Sequence, residues 1–323
     1  MRHYNIPVFV PHCGCPNDCV FCNQKNITGH LKEMTPEEAE DIIIRHLSTI
    51  PEGSRVDVAF FGGSFTGIPV EKQKSLLEIA NKYLKSSKIT GIRLSTRPDY
   101  ISNEILDILK RYGVTSVELG VQSMDDEVLK RNERGHTSES VYKAVRILKD
   151  YNFEIGLQMM TGMYGSTFEK DIETGEKIAS LSPATVRIYP TIVLENTKLA
   201  EFYRNGDYVP PPLEDTINVS SKLYKLFDDK NIRVIRMGLQ STDNISEKGN
   251  IVAGPYHSSF GELVLSRLMR DKLEEKAKHA SGTLIINSEP CMVSKIVGNK
   301  RENIRYIKEK YNVDIVLKIN KEL

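Results

Sequence analysis

Extended apolar runs alternate with amphipathic helical stretches along the first two-thirds of the chain, and this alternation constrains the fold more than any other feature. Ile6–Val10, Val56–Phe61, Gly91–Ser95, Thr115–Gly120, Phe153–Met159 and Thr185–Tyr189 read as strands. Thr35-Pro36-Glu37-Glu38 starts a helix, with Thr35 as N-cap, Pro36 in the first turn and Glu38 closing a capping box. Val70–Leu84 reads as a second helix. Ile105, Ile108, Leu109 and Tyr112 share the face of a third, and Val141, Ala144, Val145 and Leu148 that of a fourth. Helix-like sequence also separates the last two strands. Six strand–helix repeats in a row predict a parallel sheet with helices outside it, either a partial (β/α) barrel or an open doubly wound sheet. In both, ligands sit at the C-terminal ends of the strands. Polar or glycine-rich signals fall there: a cysteine loop after the first strand, Gly62-Gly63-Ser64, Ser95-Thr96-Arg97, Gln122, and Gln158 to Gly162.

Beyond Tyr189, residues 205–212 read as a loop, 213–229 as a helix and Ile232–Met237 as a strand. Residues 249–262 are glycine-rich and irregular, as in a structured loop. From about 263 the pattern is helix, strand, helix, strand in a basic setting. Residues 264–323 hold 13 Lys and Arg against 8 Asp and Glu, a net +5, while the rest of the chain carries −4. Such asymmetry marks the C-terminal part as an anion-facing surface or a solvated basic face. We place a division near residue 248, giving 1–248 as the core and 249–323 as a substrate-binding extension. The bulk composition, 40% hydrophobic and 27% charged, is that of an ordinary folded chain. No apolar run is long enough to span a bilayer, and the first residues do not read as a leader. A cytoplasmic protein with no membrane partner is therefore expected.

Four of the five cysteines, Cys13, Cys15, Cys19 and Cys22, fall within ten residues. Clustering of this kind fits metal binding better than disulfides. Cys15, Cys19 and Cys22 form a C-x3-C-x2-C run of soft thiolate ligands, suited to an iron–sulfur cluster or zinc. A structural zinc site needs four ligands, usually as two paired halves, and no second C-x2-C occurs. Three ligands on a four-iron cluster leave one iron open to a substrate. Cys13 is a fourth ligand or a bystander thiol. Phe21 is a cover for the cluster or ordinary packing.

The C-x3-C-x2-C loop after the first strand, with the (β/α) pattern behind it, resembles the radical SAM superfamily over about 250 residues. The resemblance implies an α/β fold, a partial (β/α)6 radical SAM barrel with a small basic α/β C-terminal extension. It implies a [4Fe–4S] cluster on Cys15, Cys19 and Cys22. It also implies S-adenosylmethionine, reductively cleaved to a 5′-deoxyadenosyl radical, and an external one-electron reductant of the flavodoxin or ferredoxin type. Gly62-Gly63-Ser64-Phe65 resembles the family's glycine motif, which receives the methionine amino group. Ser95 to Tyr100, Glu118 to Ser123 and Arg134 to Thr137 look like the catalytic subunit of Elongator, which modifies the wobble uridine of tRNA. The chain is similar to its radical SAM domain, with the shorter cysteine spacing and without an acetyltransferase domain. It is also similar to oxygen-independent coproporphyrinogen oxidase. By that likeness Gln122 and Arg134 contact S-adenosylmethionine, Arg134 at the carboxylate. Ser95 lies near the ribose and Gln158 near the nucleoside, and Phe9 and Tyr189 border the adenine. The expected partner is tRNA. The alternatives are a small molecule such as a tetrapyrrole, or a non-catalytic metal-binding module.

Other residues are less constrained. Tyr256, His257 and Glu262 line a substrate pocket or are merely satisfied loop residues. Arg187 and Arg236 meet an anionic substrate at the barrel mouth or are paired surface arginines. Met159, Met160 and Met163 are expected to fill the barrel, and Cys291 to be buried. Ile296 to Ile304, with Ile307 and Tyr311 to Ile315, resembles a KH RNA-binding module, with Arg301 where its loop has a second glycine. The resemblance implies that Lys300, Arg301, Arg305 and Lys308 face phosphate.

Overall fold

The computed structural model describes residues 2–10, 19–22, 34–239 and 249–319. Seven strands form one parallel sheet: β1 (His3–Val10), β2 (Arg55–Gly62), β3 (Gly91–Thr96), β4 (Ser116–Gln122), β5 (Glu154–Thr161), β6 (Thr185–Pro190) and β8 (Arg233–Met237), in that spatial order. The expected six repeats are present, and Arg233–Met237 adds a seventh parallel strand. The connecting helices are α1 (Pro36–Leu47), α2 (Val70–Lys85), α3 (Asn103–Arg111), α4 (Asp126–Arg131), α5 (Ser138–Asp150), α6 (Phe168–Ser180), α7 (Lys198–Asn205) and α8 (Leu213–Asp229). Their starts are locally encoded. Thr35 and Glu38 form the capping box expected of them, and Ser102, Asp125, Thr137, Thr167 and Thr197 each cap a helix through the side chain.

Strand alternation sorts the side chains. Ile6, Val8, Val58, Phe60, Ile92, Leu94, Val117, Leu119, Leu157, Met159, Val186 and Ile188 face the helices in one continuous core. Met159 thus lies between sheet and helices and does not fill the barrel. The opposite face is largely polar. The sheet curls around it: the Arg187 guanidinium on β6 lies 5.4 Å from the Phe61 ring centre on β2. Those strands are four places apart, and in a flat sheet they would be roughly 19 Å apart. The result is a half-barrel whose open side lies between β1 and β8.

Two short strands, β7 (Val193–Leu194) and β9 (Ile251–Ala253), pair antiparallel. The stretch read as a loop over 249–262 therefore holds a strand and the start of α9 (Phe260–Ala277). A second apolar cluster, including Leu273, Ile286, Ile296 and Ile307, joins the end of α9 to β10 (Thr283–Ser288), α10 (Val293–Val297), α11 (Glu302–Tyr311) and β11 (Asp314–Ile319). β10 and β11 pair in parallel. Among the described residues no helix is long and apolar enough to cross a membrane.

Candidate active site at the strand ends

The segment Cys19–Cys22 is held from both sides by backbone. The Val20 N–H donates to the Asn132 carbonyl (3.2 Å), and the Val20 carbonyl accepts from the Leu199 N–H (2.8 Å). The Cys22 N–H donates to the Cys19 carbonyl at 2.9 Å. Phe21 packs against a buried cluster of Val20, Val193, Leu199, Ala200 and Tyr208. Cys13 and Cys15 lie outside the described residues.

Arg134 links this loop to the sheet. One guanidinium nitrogen donates to Cys19 Sγ at 3.2 Å and another to the Gly120 carbonyl at 2.7 Å. Gly120 leaves room for this: a Cβ there would lie 3.1 Å from Gln122 Nε2 and 3.6 Å from Arg134 Nη2. Arg134 is itself positioned by Arg97, which donates to the Arg134 carbonyl at 2.5 Å and is clamped by Asp99 through bonds of 2.9 and 2.8 Å. This explains Ser95-Thr96-Arg97-Pro98-Asp99 in part: two of its residues hold a third. The sequence did not mark Arg97 and Asp99 as separate contributors. Only the 37-residue reach to Arg134 reveals their role. His136 is buried against the Val121 carbonyl, and burial, reinforced by the Arg134 charge, pushes its pKa down to about 3. It therefore adds no positive charge beside the guanidinium at neutral pH.

At the end of β2, Gly62 has φ +112°, and a Cβ there would meet the Val10 carbonyl oxygen at 2.6 Å. The Gly63 N–H donates to that same oxygen at 3.0 Å. The Ser64 hydroxyl bonds to Thr96 Oγ1 (2.7 Å) and accepts from the Arg97 N–H (3.2 Å), so it is committed to the end of β3. Gln122 closes β4 in a left-handed conformation (φ 66°), and its amide oxygen accepts from Gln158 at 3.4 Å. Ser95 lies in register with Glu118, and Phe9, 41% exposed, lies in register with Phe61.

Further across the sheet, Arg187 donates to Glu118 at 2.9 Å and to the Tyr189 hydroxyl at 3.3 Å. Burial opposes the Arg187 charge, but Glu118 and Tyr189 outweigh it and raise the pKa. This ion pair joins β4 to β6 over β5, and it passes where β5 has no side chain. A Cβ on Gly156 would lie 2.9 Å from Thr185 Oγ1 and 3.3 Å from Glu118 Cγ. A glycine within an apolar strand was the available signal, since it marks close approach of another group. Tyr256, His257 and Glu262 lie apart from this arrangement in sequence. His257 and Glu262 line a separate cavity of 870 Å³ together with Asn299 and Lys300. Cys291 also borders that cavity and is exposed, contrary to expectation, because it sits on a single surface turn, Pro290–Met292.

The chain and its fold have counterparts among known proteins. The sequence profile of the radical SAM superfamily matches residues 9–178, and that of the radical SAM C-terminal domain matches 183–270. The tRNA uridine(34) acetyltransferase of Methanocaldococcus infernus is 34% identical over 199 residues, covering 60% of this chain and 36% of that protein. Elongator complex protein 3 of Homo sapiens is 27% identical over 234 residues, covering 66% and 42%. The chain thus spans well under half the length of these relatives. The structure of the archaeal Methanocaldococcus infernus Elp3 with an N-terminal deletion superposes with TM-score 0.67 at 26% identity, covering 84% of this chain and 63% of that one. Coproporphyrinogen III oxidase (HemN) of Escherichia coli shares the fold, with TM-score 0.52 at 17% identity over 71% of this chain and 52% of that one.

Proposed function

This chain belongs to the radical SAM superfamily, and from that footing we propose that it is an RNA-modifying enzyme that cleaves S-adenosylmethionine reductively to act on tRNA. It is an enzyme of a family whose cofactors are a [4Fe–4S] cluster and S-adenosylmethionine. The residues present suit that pair. A buried Cys19 sulfur, a soft donor, lies 3.2 Å from the Arg134 guanidinium, and Gly62 (φ +112°) puts no side chain between the ends of β1 and β2. In this reading Cys15, Cys19 and Cys22 hold the cluster. Arg134 presents its guanidinium to the methionine carboxylate, and Gly62, Gly63 and Ser64 border the amino group. Gln122, Gln158 and Ser95 line the nucleoside, with Phe9 and Tyr189 at the adenine. Held by these residues, the two cofactors would supply one-electron reductive cleavage of the sulfonium, the electron coming from an external reductant. The protein's part is orientation and exclusion of water. Arg97 and Asp99 keep Arg134 in place, and neutral His136 keeps the charge beside it low.

The observation that carries the reading is the Cys19–Arg134–Gly120 link, which joins the cysteine loop to the end of β4. The tRNA substrate is supported by the names of the relatives, the tRNA uridine(34) acetyltransferase among them. We further propose a division near residue 248 with a substrate-binding extension over 249–323, a flavodoxin- or ferredoxin-type reductant, and a cytoplasmic location. Mass spectrometry of tRNA nucleosides from cells with and without the gene tests the substrate. A nucleoside that disappears with the gene is expected, and identical profiles refute the tRNA reading.

A further inference from the structure

Arg134 aims a charged N–H group at a sulfur atom. Its Nη1 donates to Cys19 Sγ at 3.2 Å and its Nη2 to the Gly120 carbonyl at 2.7 Å. Both ends of the sulfur contact are buried, Arg134 being 7% exposed and Cys19 6%. Little water is left to screen it, and a guanidinium keeps its charge throughout the working pH range. One short segment fixes both partners. Asn132 is fully buried and its carbonyl accepts from the Val20 N–H at 3.2 Å, while its side-chain amide donates to the Val128 and Tyr164 carbonyls, each at 2.8 Å. Glu133 then takes a left-handed conformation (φ 53°). Asn132 thus holds the backbone of the cysteine loop, and Arg134, two residues on, reaches its sulfur. The Arg134 N–H donates to the Leu129 carbonyl at 3.0 Å and its carbonyl accepts from Arg97 at 2.5 Å, so the backbone that carries the side chain is pinned as well.

A cysteine that ligates iron is a thiolate, so in the loaded protein this contact pairs a cation with an anionic sulfur. Reduction by the external donor adds one electron, and with it one unit of negative charge, to the cluster and its thiolates. No proton is taken up. A fixed N–H donor and a positive charge at a ligand sulfur stabilise the more negative state more than the less negative one. Hydrogen bonds to the sulfurs and net charge are among the influences that set an iron–sulfur potential. The bond from Arg134 therefore shifts the potential upward and eases entry of the electron. This role is separate from the carboxylate role given to Arg134 above. A guanidinium carries five N–H groups, and the bonds to Cys19 and Gly120 use two of them.

We propose that the Arg134 guanidinium raises the reduction potential of the cluster through its hydrogen bond to Cys19. The inference rests on the cluster assignment above and not on the tRNA reading. Potentiometric titration of the anaerobically reconstituted protein, followed by EPR of the reduced cluster, tests it. The titration is run without S-adenosylmethionine, so that cofactor affinity plays no part. Arg134→Leu is expected to lower the potential by about tenfold in the oxidised-to-reduced ratio, or ~59 mV for one electron. Arg134→Gln keeps a donor without the charge and should fall between, while Arg134→Lys keeps the charge and should stay nearest wild type. Equal potentials in wild type and Arg134→Leu, at equal iron content, overturn the inference and leave the cluster assignment standing. A wild-type protein that assembles no four-iron cluster refutes that assignment, and this inference with it. If the variants assemble no cluster, wild type labelled with nitrogen-15 at its arginine guanidinium groups decides the matter. Pulsed EPR of the reduced cluster is expected to show a nitrogen-15 coupling, and its absence overturns the bond.

Discussion

Arg134 carries more of the site than any other described side chain, because it touches the cysteine loop, the end of β4 and, through its own carbonyl, Arg97. Arg134→Ala is expected to lower S-adenosylmethionine affinity about 10- to 150-fold with iron content near that of wild type, and Gly63→Val to act in the same direction. Equilibrium binding on reconstituted protein checks both, and unchanged affinity would refute the assignment. At the cysteines, Cys15→Ala, Cys19→Ala and Cys22→Ala are each expected to abolish 5′-deoxyadenosine formation and to deplete iron, whereas Cys13→Ala largely retains both. Iron analysis showing that Cys13→Ala empties as fully as Cys19→Ala would make Cys13 a ligand. The sequence pointed to Arg134 by resemblance alone. It did not point to Arg97 and Asp99 as its supports, because their hydrogen bonds cross between loops that no local pattern relates.

At the scale of the element, β5 is shaped by what must pass over it. Gly156→Ala places a methyl group against Thr185 and Glu118 and is expected to cost about 1–3 kcal/mol through overpacking. A thermal midpoint within error of wild type would show that the ion pair shifts freely. The turn after β5 is tied by Asp171, which accepts from the Gly162 N–H (2.8 Å) and the Ser166 hydroxyl (2.6 Å). Burial raises its pKa to about 6 despite those bonds. The folded state therefore holds the proton more tightly than the unfolded chain. The resulting stabilisation is complete below the unfolded value of about 4 and is lost as pH rises through about 6. Asp171→Asn stays neutral, so its stability relative to wild type should rise between pH 4 and 7, by on the order of 2–3 kcal/mol, and level off above. Denaturant midpoints measured across that range test it, and a pH-independent difference would contradict it. Helix starts were legible in the sequence because caps are local: Thr35 with Glu38 behaves as read. The short helices α4 and α7 and the pair β7–β9 were not, because a two- or three-residue strand has no period to detect.

At the scale of the molecule, the basic extension is joined to the half-barrel through α9, whose first turns pack on α8 and whose last turns belong to the second apolar cluster. Lys300 and Arg301 adopt left-handed conformations (φ 46° and 62°) between α10 and α11, and both are exposed. Lys308, expected beside them, is instead engaged by Asp314 at 2.8 Å. Reversing Lys300 and Arg301 to Glu is expected to weaken tRNA binding and to make its salt dependence shallower, by about one unit of log–log slope per lost phosphate contact. Equal tRNA affinity of the two proteins at low salt would remove this segment from the RNA reading. The sequence by itself determined the parallel order of strands and helices, the caps, and the cysteine loop at a strand end, because periodicity, capping and ligand spacing are written in neighbouring residues. Only the tertiary structure decided that Arg187 finds Glu118 over Gly156, that Arg97 serves Arg134, and that a bulge brings Arg236 into register with Arg187. Those relations depend on strand register, on a bulge and on the curl of the sheet, which arise when distant segments pack together.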